Sequence, residues 1–515
     1  MDTPAIPTSD CYPFLMIDWS SCEAVEQRAE RYSYCVIKTI YYAFIFNQSV
    51  KVVPMDATMG RFEEYVTMIA GHLGHADRVG PFRGYCAGLM LPGGRKSVEP
   101  MAARLAPLEV RSAHQRLHHF VADAAWSDAA VLGAVRDHAL VAAGKLGVPE
   151  VLIIGDTGFP KKGVHSVGVA RQYCGQLGKQ DNCQVAVSLS LANEHYSVPV
   201  GYRLYLPKDW SEDPERRQKA KVPEDIAFAT KPAIALQLID EVIAAGEAPA
   251  VVVADAGYGI DTAFRDQLTE RGLQYAVGVT KTVKVWPEGS APLPPAPWSG
   301  HGHKPKLLRR DAQHQPVTVK ALALSLKPNQ WHTITWREGT NESLASRFAA
   351  VRVRCAHRDY ASTALRPTQW LLIEWPKNEA EPVKYFLSTL PAATPLQELV
   401  RVAKLRWRIE RDYQELKQEF GLDHFEGRGW RGFHHHATLS IAAYGFILAE
   451  RLAHQKKTAS PTFLGQIPAL PGDFRPRGAA SPPAPRPGLD RHPAPGDRRR
   501  ADRTPAVLPL LRKTD

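Results

Sequence analysis

The chain has 515 residues, with 64 Lys+Arg against 53 Asp+Glu, a formal charge of +11 and a pI near 9.2. Hydrophobic residues at 44% and charged residues at 23% are the balance of a folded globular protein, and no apolar run approaches the roughly 20 residues that span a bilayer. Seven Cys, odd in number and without CxxC spacing, exclude a disulfide framework and a zinc ribbon and place the chain in a reducing compartment. The N-terminus has no basic cluster before its first apolar run, so no signal peptide is expected.

The expected elements run as follows. Residues 1–54 hold three Cys and an apolar patch with no partner pattern, and Met55 offers an alternative start. Residues 55–145 read as an all-helical unit, with apolar residues at three- and four-residue spacing over Arg61–Gly74, Ser97–Leu105, Ser112–Trp126 and Ser127–Gly144. Its cations Arg104, Arg111 and Arg116, with His118 and His119, suit either DNA or a solvated face. From 146 to 275 the pattern changes to strands: Val151–Ile154 ending at Gly155-Asp156, then Gly168–Tyr173, Gln184–Leu191 and Val198–Leu206. A long helix over Pro214–Ala245 leads to a last apolar strand, Ala250–Ala254, which ends at Asp255-Ala-Gly. The fold class expected is α/β: a mixed sheet with an acid at the end of its first and last strands, the plan of a ribonuclease-H-like core.

Residues 276–392 read as a β-rich insertion, from Trp331–Arg337, Ala349–Arg354, Trp370–Trp375 and Tyr385–Leu390. Residues 393–458 return to helix, one amphipathic helix after Pro395 through Phe420 and an apolar one over His436–Gln455. Residues 459–515 form a Pro- and Arg-rich tail expected to be disordered. From Ser460 the tail has 10 Lys+Arg and 5 Asp+Glu, so it supplies +5 of the +11.

Three acids stand out. Asp156 and Asp255 follow apolar strands, where open α/β sheets place ligands, and each has a glycine two residues on that gives a ligand room to approach the backbone. As single residues, both also fit a turn or helix cap. On a helix at about 100° per residue, Arg406, Glu410 and Lys417 fall within about 40° on one face. That arrangement serves either an ion-pair ladder or a carboxylate that holds a metal between two phosphate-gripping cations. His434-His435-His436 cannot share one ion if helical, because consecutive side chains diverge.

Arg406, Glu410 and Lys417 fit the R-(3)-E-(6)-K part of the Y-(2)-R-(3)-E-(6)-K motif, with Ala403 at the Tyr position. Residues 155–192, 251–259 and 416–448 resemble the blocks around the two Asp and after the Glu. The chain thus resembles, over about residues 58–458, the DDE transposases of bacterial insertion sequences. The resemblance implies Asp156, Asp255 and Glu410 as catalytic and metal-holding acids, binding two Mg²⁺ about 3.5–4 Å apart, with Mn²⁺ as a substitute. It implies double-stranded DNA as partner, both the terminal inverted repeats and the target, and a homo-oligomeric synaptic complex in a cytoplasmic, nucleoid-associated setting without membrane contact. Arg406, Lys417, Lys161, Lys162 and Arg171 are candidate DNA contacts, as are Arg428 and Arg431 in the Gly-rich loop. Trp336, in Trp336-Arg337-Glu338-Gly339, is a candidate for stacking on an unpaired base. The competing expectations are a non-catalytic DNA-binding remnant that inhibits transposition and a non-mobile nuclease of the same fold.

Overall fold

The computed structural model describes residues 57–246, 249–337 and 344–458. The leader and the tail lie outside the described residues, as do Glu338 and Gly339.

Five helices come first: α1 (Ala57–Ala70), α2 (Val79–Met90), α3 (Val98–Leu105), α4 (Val110–Ala122) and α5 (Asp128–Ala143). Ser127 caps α5 by accepting from the Ala130 amide. Helix α2 has no counterpart in the periodicity, because its last six residues are all buried and Gly80, Pro81 and Gly84 dilute any apolar stripe.

Strands β1 (Val151–Pro160), β2 (Ala170–Cys174), β3 (Lys179–Ala192) and β4 (Ser197–Leu204) then form antiparallel pairs β1–β3, β2–β3 and β3–β4. The segment expected as one helix over Pro214–Ala245 is two, Pro214–Lys219 and α6 (Lys231–Ala244), separated by a stretch containing Pro223. The Thr230 hydroxyl caps α6, and Pro232 sits in its first turn, where the missing N–H costs nothing.

Strand β5 (Val251–Ala254) pairs parallel with β1 and with β6 (Gln274–Val279), and α7 (Thr262–Glu270) lies between β5 and β6. Strand β6 runs across the boundary drawn from sequence at 275/276. Strands β7 (Lys284–Pro287), β8 (Val317–Thr318), β9 (His332–Arg337), β10 (Leu344–Cys355), β11 (Thr368–Trp375) and β12 (Lys384–Ser388) follow, with α8 (Val319–Ser325) after β8. Because β12 pairs antiparallel with β6, these strands lengthen the same sheet. The result is twelve strands with path β2-β3-β1-β5-β6-β12-β11-β10-β7-β8, with β4 on β3 and β9 on β10.

The helix expected after Pro395 is broken at Leu405-Arg406 into α9 (Leu396–Lys404) and α10 (Trp407–Gln418). A long helix, α11 (Trp430–Thr458), closes the described chain. Alternating residues of β1 divide the core: Leu152 and Ile154 pack with α6 and α7, while Val151 and Ile153 pack with α9 and α10. Helix α11 is buried nearly all round, since α1, α2, α4 and α5 cover it together with strand residues Tyr202 and Leu204. The early helices and the sheet therefore share one core through α11.

Candidate active site

Asp156 lies within β1, opposite Val187 of β3, and not at a strand end. Residues Thr157–Pro160 continue the ladder with β3, which the short apolar run Val151–Ile154 did not reveal. The parallel pairing with β5, however, stops at Ile153↔Val253, one residue before β5 ends at Ala254, and that register extends to set Gly155 level with Asp255. Both acids therefore stand where β5 leaves the sheet, the kind of crevice that open α/β sheets use for ligands.

Gly155 explains how a helix comes so near. A Cβ there would meet the Tyr413 hydroxyl at 2.7 Å and Ile409 Cδ1 at 3.2 Å, so only glycine lets α10 press against β1. Tyr413 is fixed by a 2.6 Å hydrogen bond between its hydroxyl and Ser188 Oγ. Gly158 has a packing role instead of the expected ligand approach: a Cβ there would lie 2.7 Å from Cys174 Sγ.

The charges around the acids are ordered. Asp156 Oδ2 accepts from Lys231 Nζ at 2.6 Å. Asp255 caps the turn Ala256–Gly259 with Oδ1, which accepts from the Gly257 amide at 2.8 Å, while Oδ2 faces Arg406 Nη2 at 3.9 Å. Arg406 Nη1 also reaches Glu410 Oε1 at 2.7 Å, so one guanidinium joins Asp255 to the acid of α10. Glu410 is the most open of the three, at 58% side-chain exposure against 27% for Asp156 and 37% for Asp255.

Two tyrosines complete the surroundings. The Tyr258 hydroxyl is buried beside Asp156. Burial, then the charge of Asp156 and that of Asp255, hold it far above the usual phenol range. Tyr413 is raised in the same way, by burial first, with Asp156 and Glu410 adding to it. The acids are thus electrostatic neighbours: Arg406 joins Asp255 to Glu410, and the two phenols lie in the field of Asp156 together with Asp255 or Glu410. Among the described residues no three His, Cys, Asp or Glu side chains form a group that could hold a metal ion.

The candidate DNA contacts divide into tied and free cations. Lys417 donates to Gly158 O at 2.7 Å and to Gln176 Oε1 at 3.1 Å, and Lys161 donates to Phe425 O at 3.0 Å. Burial lowers the pKa of both ammonium groups. Arg431 donates to Asp123 O at 2.8 Å. Lys162, Arg171 and Arg428 are exposed. Trp336 is half-buried, with Lys404 Nζ 4.1 Å from its ring centroid, and Arg337 lies 3.9 Å from the ring centroid of Trp407, beside Arg406. Ala403, at the motif's Tyr position, is buried in the core face of α9.

The three consecutive histidines diverge as expected and act as clamps. His434 accepts from the Leu204 amide, His435 sits between Val121 O and Trp126 O, and His436 joins Tyr85 Oη to Gly421 O. Lys231, Tyr258 and Tyr413 were missed by sequence reasoning. Thr230-Lys231-Pro232 signals a helix start, but nothing local connects it to an acid 75 residues earlier.

Comparison with known proteins gives the family. Residues 69–343 match the DDE superfamily endonuclease family. The chain belongs to that family. The matched residues of this DDE endonuclease-family chain include Asp156 and Asp255 and end before Glu410. A relative from Microchaete diplosiphon, described as a probable transposase for insertion sequence element IS701, is 33% identical over 186 residues, 36% of this chain and 45% of the relative. The chain thus spans a little under half the length of that relative. Among the described residues no helix of the DDE chain is long and apolar enough to cross a membrane.

Proposed function

We propose that the chain is a DNA transposase that binds the terminal inverted repeats of its element, cuts its ends and joins them to target DNA. The observation that carries this is that Arg406 reaches both Asp255 and Glu410 at the point where β5 leaves the sheet, with Asp156 on the adjoining strand β1. Family membership and the likeness to a probable IS701 transposase support it. The strand order β4-β3-β1-β5-β6, with the first three antiparallel and the last two parallel to β1, supports a ribonuclease-H-like core interrupted by the 276–392 insertion.

Three carboxylates are the hard oxygen donors that Mg²⁺ prefers, and a bound ion would draw together side chains that form no metal-holding group in this structure. The buried Tyr258 hydroxyl lies beside two of the carboxylates, Asp156 and Asp255. Asp156, Asp255 and Glu410 would hold two Mg²⁺, with Mn²⁺ as substitute, which supply Lewis-acid stabilisation of the attacked phosphate and an activated oxygen nucleophile. The chain's own residues do the rest. Lys231 balances Asp156, and Arg406 orients Asp255 and Glu410 while keeping donors close to the phosphate. The Gly155–Tyr413 contact sets the distance of α10 from β1. The reaction is hydrolysis, in which a water oxygen bonds to phosphorus and the 3′-oxygen leaves, followed by attack of that 3′-hydroxyl on a target phosphodiester, whose own 3′-oxygen leaves with a proton as the new ester forms. The synaptic complex is a homo-oligomer.

A strand-transfer assay on DNA ending in the element's inverted repeats tests the proposal. Joined products are expected. Cleavage without joining would favour a non-mobile nuclease, and binding without cleavage would favour a non-catalytic remnant.

A further inference from the structure

A second cationic site lies beyond the carboxylates. The segment after β1, the turns between β4 and α6, and the loop before α11 enclose a cleft of about 190 Å³, bordered by His165, Trp210, Arg216, Lys219 and Arg428. Its walls come from three stretches of chain far apart in sequence, and hydrogen bonds fix them to one another. The Val167 amide donates to Arg428 O at 3.0 Å, the Trp430 amide to Ala220 O at 2.9 Å, and the Trp210 indole to Val169 O at 2.8 Å. The cleft is therefore built before any ligand arrives.

Its two guanidinium groups, Arg216 and Arg428, have no carboxylate partner among the described residues. No acidic side chain lines it. The Arg216 guanidinium lies 3.9 Å from the ring centroid of buried Trp210, which orients its plane and leaves its donors free. Neither it, nor the Arg428 guanidinium, nor the His165 ring forms a side-chain hydrogen bond or ion pair among the described residues. Lys219 pairs only with the exposed Glu215. Oriented guanidinium groups without carboxylates make a fork suited to phosphate oxygens. The volume falls below the roughly 300 Å³ at which small-molecule pockets begin, which suits one group of a larger ligand that continues outside.

We propose that this cleft grips one backbone phosphate of the DNA, through Arg216 and Arg428 with help from Lys219 and His165, as an anchor separate from the carboxylates. The proposal rests on the DNA-processing reading above. It is tested with the full chain by fluorescence anisotropy of a labelled duplex carrying the inverted repeat, titrated at several KCl concentrations. Wild type is compared with Arg216→Gln, Arg428→Gln and the double variant. Arg428 is exposed and makes no side-chain hydrogen bond or ion pair among the described residues, so its replacement leaves the fold intact whatever Arg216→Gln does to the Trp210 wall.

One phosphate contact contributes about 0.9 to the slope of log K against log salt, so the double variant should lower the slope by about 1 and weaken binding about 10-fold. Arg428→Gln alone should give part of that loss. Unchanged affinity and slope in all variants, against a wild type that binds, would overturn the anchor and leave the functional reading standing. A wild type that binds no duplex would overturn the reading and the anchor together.

Discussion

Gly155→Ala tests the contact that brings the Glu410 helix to the Asp156 strand. The added Cβ would lie 2.7 Å from the Tyr413 hydroxyl and 3.2 Å from Ile409 Cδ1, so α10 must retreat by about 0.7 Å to restore ordinary contact. Tyr413 cannot swing aside, because its buried hydroxyl is bonded to Ser188. Overpacking of this kind costs about 1–3 kcal/mol. Tyr413→Phe alone removes the Ser188 bond and should cost about 1 kcal/mol. In the double variant the atom that clashes at 2.7 Å is gone and only the milder Ile409 contact remains. The combined cost should therefore fall short of the sum by about 1 kcal/mol or more. Urea denaturation of all four proteins, followed by circular dichroism, measures this. Strict additivity within about 0.5 kcal/mol, or a neutral Gly155→Ala, would refute the reasoning.

Three further outcomes follow from the same structure. Lys231→Met removes the cation on Asp156; for a partly exposed pair the stability change should stay under about 1 kcal/mol. Freed of that competition, Asp156 should take Mn²⁺ at a several-fold lower half-saturating concentration in calorimetric titration, and an unchanged titration would argue against the competition. Burial pushes His435 and His436 down to about 4, below the roughly 6.5 of an unfolded histidine. Between those values the unfolded chain binds more protons, so stability is full above about pH 6.5 and falls as pH drops towards 4, by up to about 3 kcal/mol per ring. His436→Asn should flatten that dependence in melts run from pH 7 to 4, and an unaltered slope would count against burial as its cause. Arg406→Gln breaks the link from Glu410 to Asp255 but only an exposed pair, so it should cost about 0.5 kcal/mol in stability while cleavage falls at least 10-fold. Equal cleavage rates would dismiss its orienting role.

What could be read from the sequence was what is written locally. Val151–Ile154 and Val251–Ala254 are short apolar runs with an acid beyond them, and Arg406–Glu410 is an i,i+4 pair that the structure forms. Long-range consequences were not legible. Lys231 reaches Asp156 through the packing of α6 on the sheet, and Gly155 matters because of a tyrosine more than 250 residues later. Helix α2 escaped because burial of its whole second half erases the amphipathic signal, and the segment 214–245 breaks around Pro223, which its apolar spacing does not show. Lys161 and Lys417 read as free cations beside acids, yet both are bound to carbonyl oxygens, since a charge pattern does not reveal which backbone groups a fold will bring within reach.

The central claim is that Asp156, Asp255 and Glu410 form one catalytic set. Its most direct measurement is Mg²⁺-dependent cleavage of inverted-repeat DNA by wild type and by Asp156→Asn, Asp255→Asn and Glu410→Gln, with DNA affinity measured in parallel. The account predicts that each variant binds the DNA within a few-fold of wild type and cleaves none of it. Cleavage retained in any one variant would remove that residue from the set.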